Sequence, residues 1–139
     1  MAGAERKIQI KGFGAFYYPG TGILKVVMPK DMPFEEEEAK EIFTRIMELC
    51  EGGARNGLLL DIREVTSRGP SKKFRRWMRE KTDEIGFTRT AVIVTSPVGR
   101  MFAKIISSTT GQSKQTYFFK TEEDAYNWLK ENNEERSLD

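Results

Sequence analysis

Leu58-Leu59-Leu60-Asp61-Ile62 is a short, nearly unbroken apolar run, and Ala91-Val92-Ile93-Val94 is a second. A strand that is buried on one face alternates between apolar and polar residues. These runs do not alternate, so both of their faces must be covered, as in a parallel sheet flanked by helices. The segments around them have the spacing that such helices need.

Upstream, Asp31-Met32-Pro33 leads into Glu35 to Glu38. A proline near the first helical position and acidic residues at the positive end of the dipole both favour a helix start. Ala39, Ile42, Phe43, Ile46, Leu49 and Cys50 then recur at three- and four-residue spacing, and Gly52-Gly53 is the expected stop. Successive helical residues point in different directions, so the glutamate run reads as a solvated helix start and not as a metal site. Between the two apolar runs, Arg63 to Gly69 is a polar loop. Pro70 can open a second helix with Phe74, Trp77, Met78 and Ile85 on its buried stripe, ending at Gly86. Downstream, Ser96-Pro97 pairs a cap with a first-turn proline. Met101, Phe102, Ile105 and Ile106 form the core face of a third helix that closes at Gly111. Gln115 to Phe119 is a last strand. Thr121-Glu122-Glu123-Asp124 opens a fourth helix anchored by Ala125, Trp128 and Leu129, and residues 132–139 form a polar tail expected to fray.

At the other end of the chain, Lys7 to Tyr18 and Ile23 to Met28 are strand-like and flank Pro19-Gly20-Thr21-Gly22, an antiparallel hairpin. The glycines at 12, 14, 20 and 22 lack the strand-before, helix-after setting of a nucleotide loop and read as strand irregularities and a turn. The expected order is β-β-α-β-α-β-α-β-α. This is a single mixed, mostly parallel five-stranded sheet with an N-terminal hairpin and four helices, in one α/β domain spanning 1–139 with a core of about 8–129.

Composition narrows the chemistry. The chain has 139 residues, no histidine, one cysteine and a net charge of +2. Without histidine there is no ordinary proton shuttle near neutral pH, and Ser-His and Cys-His nucleophile pairs are excluded. A structural zinc site is excluded on the same inventory. Carboxylates and lysines could still act, but they would need specific placement. No enzyme activity, metal or cofactor is therefore expected. Cys50 lies on the first helical stripe and reads as a packed thiol in a reducing compartment. No apolar run is long enough to cross a bilayer, and the first residues lack the apolar core of a secretory signal, which together suggest a soluble cytoplasmic protein.

The element order, with Leu58-Leu59-Leu60-Asp61-Ile62-Arg63-Glu64-Val65 closing the third expected strand, resembles the STAS domain, the anti-sigma-factor-antagonist fold. The segment from Tyr117 to Leu129, with Glu122-Glu123-Asp124-Ala125 followed by Trp128-Leu129, is similar to the ending of small bacterial SpoIIAA-like (STAS/SEC14-like) proteins. The likeness covers about Ile8 to Leu129 and consists mainly of packing patterns. It implies a regulatory or scaffold role through a protein partner; its SEC14 side implies a small-molecule or lipid carrier instead. In the antagonists an Asp-Ser-Ser-Gly type motif carries a phosphorylated serine. Here Thr66-Ser67-Arg68-Gly69 keeps the serine and the glycine, lacks the acidic residue, and makes Ser67 the candidate phosphorylation site. The same residues also suit a turn and a helix cap.

Ligands of open α/β sheets bind beyond the carboxyl ends of parallel strands. On that edge Arg63, Thr66, Ser67, Arg68, Ser96, Gly99 and Arg100 are expected to converge, either as an anion or partner site or as an ordinary solvated loop edge. The expected second helix carries Lys72, Lys73, Arg75, Arg76 and Arg79, a basic face that is either solvated or used for docking. A protein partner is expected, and a homodimer is compatible with an unpaired sheet edge. Nucleic acid is not expected, because the net charge is small and no aromatic residues interleave with the basic ones on an evident surface; membrane binding is disfavoured because Phe74, Trp77 and Met78 suit the core.

Overall fold

The structure, a computed structural model, describes residues 6–10, 12–30, 36–65, 76, 80–81, 84–87, 89–97, 99–101, 104 and 115–138. Its strands form where β-branched, aromatic and leucine residues concentrate: β1 (Arg6–Ile10), β2 (Phe13–Tyr18), β3 (Ile23–Val27), β4 (Gly57–Asp61), β5 (Arg89–Ile93) and β6 (Gln115–Phe119). Two helices are described end to end, α1 (Glu36–Leu49) and α2 (Glu122–Leu138). Residues 76, 80–81 and 84–85, and residues 97, 99–101 and 104, are also helical, in the two segments where the second and third helices were expected.

The sheet order is β1-β2-β3-β4-β5-β6; β1 to β3 pair antiparallel and β3 to β6 parallel. The mixed, mostly parallel sheet agrees with expectation, but it has six strands and not five. The count of helices described end to end, two, likewise differs from the expected four. The extra strand comes from Lys7 to Tyr18, which was read as continuous. Ile10 pairs with Phe13, so the chain reverses over two residues, and Gly12 has φ +84°. A two-residue hairpin turn requires that left-handed geometry, which a glycine adopts without steric cost. The glycine read as a strand irregularity is the turn itself. The expected hairpin at Pro19 to Gly22 is present as well, closed by the Gly22 N–H donating to the Tyr18 carbonyl at 2.9 Å.

The parallel strands advance across the sheet in sequence order. Right-handed crossovers then keep the connections between them on one face. On that first face Ile42, Ile46 and Leu49 of α1, with Cys50 just after it, share a core with Tyr17, Leu24, Leu60 and Val92. Phe87, after the helical residue Ile85 and the turn at Gly86, is buried in the same core. α2 lies on the second face. There Ala125 and Leu129 are buried against Ile23, Leu59, Ala91 and Ile93. This division explains the uninterrupted apolar runs: Leu60 and Val92 serve one core while Leu59, Ala91 and Ile93 serve the other.

α2 lies close to the sheet because Gly57 leaves room for it. A methyl group at Gly57 would stand 2.8 Å from Leu129 Cδ2. The helix start is set locally: Thr121 Oγ1 accepts the Asp124 N–H at 3.2 Å, and Glu122, Glu123 and Asp124 occupy the first turn. Only Ala125 and Leu129 of this helix are buried among its described side chains, so Leu129 provides much of its attachment. Leu129→Ala should lower stability by about 2–5 kcal/mol. The exposed Asn127→Ala on the same helix should change it by under about 0.5 kcal/mol. Urea unfolding of the two variants checks this; equal midpoints would mean that α2 contributes little to the fold.

Candidate functional site

The carboxyl ends of β3 to β6 lie along one edge, because parallel strands share a direction. β4 ends in Asp61, whose side chain is buried on the second face at 6 % exposure. Arg63 wraps back onto it. Its Nε donates to Asp61 Oδ1 at 3.0 Å, its Nη2 to Oδ2 at 2.7 Å, and its backbone N–H to Oδ1 at 3.1 Å. Burial opposes ionisation of Asp61, but the Arg63 side-chain and backbone hydrogen bonds and the nearby Lys25 charge outweigh it and hold the carboxyl below its usual range. Lys25 also forms an ion pair with Glu122 at the start of α2. Polar groups at this end of the second face thus satisfy one another.

Of the residues expected to converge on the edge, Ser96 is a helix cap. Its Oγ accepts the Gly99 N–H at 3.0 Å, and its carbonyl accepts the Arg100 N–H at 2.9 Å. Arg100 extends on the opposite side of the sheet from the Asp61 carboxylate. There it lines a cleft of about 280 Å³ with Val94, Lys104, Phe118, Phe119 and Lys120. Arg63 is held by Asp61 and is not among the lining residues. Thr66, Ser67, Arg68, Lys72, Lys73, Arg75 and Arg79 lie outside the described residues; Arg76 is helical and exposed.

Beside Arg100, the cleft brings together residues that the sequence reading did not single out as site residues. Arg100 and Lys104 are four apart and share one helix face. Phe118 is displayed because β6 is the outermost strand. Its backbone register with Val92 puts it on the first face, where it is 47 % exposed. Tyr117 points to the second face, 53 % exposed, with its ring 4.9 Å from that of Trp128. Alternation along β6 carried part of this signal in the sequence; strand order, which decides that the aromatic residues stay uncovered, did not. Among the described residues Arg100, Lys104 and Lys120 have no carboxylate partner. On the second face the Arg89 guanidinium lies 6.0 Å from the Trp128 ring, with its Nη1 buried and without a hydrogen-bond partner.

Cys50 is fully buried, and its thiol is pushed up chiefly by that burial, as suits a packed side chain. Among the described residues no cluster of three potential metal ligands occurs, and no helix is long and apolar enough to cross a membrane. Because the Asp61 carboxyl is depressed in the folded state, its stabilising contribution is complete above its unfolded value of about 3.9 and is lost as pH falls through the lower folded value. Asp61→Asn should therefore cost about 1–3 kcal/mol at neutral pH. The gap from the parent protein should narrow below about pH 4, as urea unfolding across pH would show. A gap that stays constant into acid would assign the cost to something other than the charge.

Two solved structures that resemble this chain are distant from it in sequence. An uncharacterized protein of the DUF3478 family from Shewanella loihica PV-4, described as having a SpoIIAA-like fold, superposes with a TM-score of 0.54 at 19 % identity, covering 91 % of this chain and 92 % of that one. The nuclease MPE of Pseudomonas putida superposes with a TM-score of 0.50 at 11 % identity over 83 % of this chain and 60 % of that one. At such identities the likeness concerns the fold alone, and the fold is SpoIIAA-like. No curated protein matches the sequence. The family model that matches describes a domain of unknown function, DUF7793, and not the STAS family of the earlier resemblance. It spans residues 17–133, from β2 into α2, and the chain belongs to the DUF7793 family.

Proposed function

We propose that this protein is a non-catalytic, cytoplasmic interaction module that regulates or scaffolds a protein partner, with the edge at β6, unpaired among the described residues, as its principal docking surface. The observation that carries this reading is the exposure of Tyr117 and Phe118, about half uncovered, on the outermost strand beside Arg100, Lys104 and Lys120. Exposed aromatic residues and arginine are enriched at association surfaces, and an unpaired strand edge is a template for pairing with another chain. The SpoIIAA-like fold is compatible with such a role, and the basic residues Lys72, Lys73, Arg75, Arg76 and Arg79 are, by their charge, further candidates for docking.

Two features weigh against the competing roles. A carrier needs an enclosing pocket, and ligand pockets run to about 300–1,000 Å³ with most of the ligand buried. The cleft at β6, about 280 Å³ with the half-exposed Phe118 as one wall, does not enclose a ligand in that way, so this surface suits docking better than carriage. An enzyme would need a group poised to exchange protons. Asp61, the buried carboxylate of the carboxyl edge, has both oxygens engaged by Arg63, which suits a structural pair better than a proton-exchanging group.

Replacing Phe118 with the photo-crosslinking residue p-benzoylphenylalanine should give discrete protein adducts on irradiation in cells, whereas the same replacement at exposed Glu37 of α1 should give none. Failure of the Phe118 probe to label protein, together with a non-covalent small-molecule mass in native mass spectrometry, would favour the carrier role instead.

A further inference from the structure

The β6 edge has a directionality that identifies the kind of partner it fits. The Phe119 carbonyl accepts the Val94 N–H at 2.9 Å, so the backbone groups of Phe119 face β5. In a strand these groups alternate from residue to residue. Tyr117 therefore also faces β5, while the N–H and C=O groups of Thr116 and Phe118 face outward. Among the described residues no strand pairs with that outer side.

Side chains alternate in the same register. Phe118 and Lys120 lie on the first face with Arg100 and Lys104; Tyr117 and Phe119 lie on the second with Trp128. The three cations all line the first-face cleft, and among the described residues no carboxylate neutralises them. The cleft is too small and open to enclose a drug-sized ligand, but an extended chain could lie along it.

We infer that the outer side of β6 accepts an acidic, extended segment of a partner protein as a seventh strand, its alternate carboxylates meeting Arg100, Lys104 and Lys120 and its intervening apolar side chains covering Tyr117. The main-chain bonds to Thr116 and Phe118 supply affinity, and the charge and apolar alternation supplies selectivity. This rests on the interaction-module reading and adds the chemistry of the partner.

The probe is a synthetic peptide, Asp-Val-Asp-Phe-Asp-Val-Asp, added to the full chain. It should slow amide exchange at Thr116 and Phe118 by about tenfold or more while Tyr117 and Phe119, already bonded to β5, change little. Its affinity should fall on raising salt from about 0.01 to about 0.15 M, as exposed charge pairs are screened. The double substitution Arg100→Glu with Lys104→Glu, at exposed positions, should weaken it by about tenfold or more. Placing proline at the central position of the peptide should abolish the exchange protection. Binding that leaves Thr116 and Phe118 unprotected, equal binding by a version with lysine for aspartate, or full displacement by inorganic phosphate would overturn the inference. Protection of these amides in the protein alone, rising with concentration alongside a dimer mass, would instead assign the edge to a second copy. If Phe118 crosslinks to protein in cells but the acidic peptide does not add to β6, the interaction reading stands and the acidic strand does not.

Discussion

Everything in this fold depends on the burial of β4 and β5 from both sides. Their backbone groups are consumed by parallel pairing with β3 and β6. Their side chains alternate between two separate cores. One core is sealed by α1 and the segment reaching Ile85 and Phe87. The other is sealed by α2 through Ala125 and Leu129. A strand placed this way cannot have a polar face, because an unpaired polar group in either core would cost more than the strand could recover. The exceptions among the described residues are Thr90 near the start of β5 and Asp61 at the last position of β4, where Arg63 can fold back and satisfy both carboxylate oxygens.

The same topology decides where the molecule is complete and where it is open. On the second face Lys25, Asp61, Arg63 and Glu122 neutralise one another at the mouth of the sheet. On the first face Arg100, Lys104 and Lys120 gather beside Phe118 with no described carboxylate among them. The difference follows from strand order. β4 and β5 are flanked on both sides, whereas among the described residues β6 pairs with a strand on one side only, and its Tyr117 and Phe118 are about half exposed. A sheet edge of this kind is a hazard unless it is covered or charged, and here it is charged.

Much of this was legible in the residues. Uninterrupted apolar runs located β4 and β5, and helical spacing located the buried face of α1, of which Phe43 alone is only partly covered. Ser96 and Thr121 were readable as caps because capping is a local bond across three residues. The first hairpin was missed for a local reason as well. Lys7 to Tyr18 is strand-like throughout, and only the positive φ of Gly12 turns it back. The candidate edge was legible in part: Arg100 belongs to the cleft, whereas Arg63 is held by Asp61 two residues before it, a pairing that the spacing alone did not announce.

The sequence by itself determined the elements that rest on short-range physics: strands from side-chain pattern, helix starts from caps and prolines, and the absence of histidine chemistry from the inventory. Only the tertiary structure decided which strand lies outermost, which face α2 covers, and which cations share a cleft. Those outcomes depend on contacts between residues far apart in the chain, such as Lys25 with Glu122 and Val94 with Phe119. A local pattern fixes the direction in which a side chain points, but only the packing of distant elements fixes what it meets there.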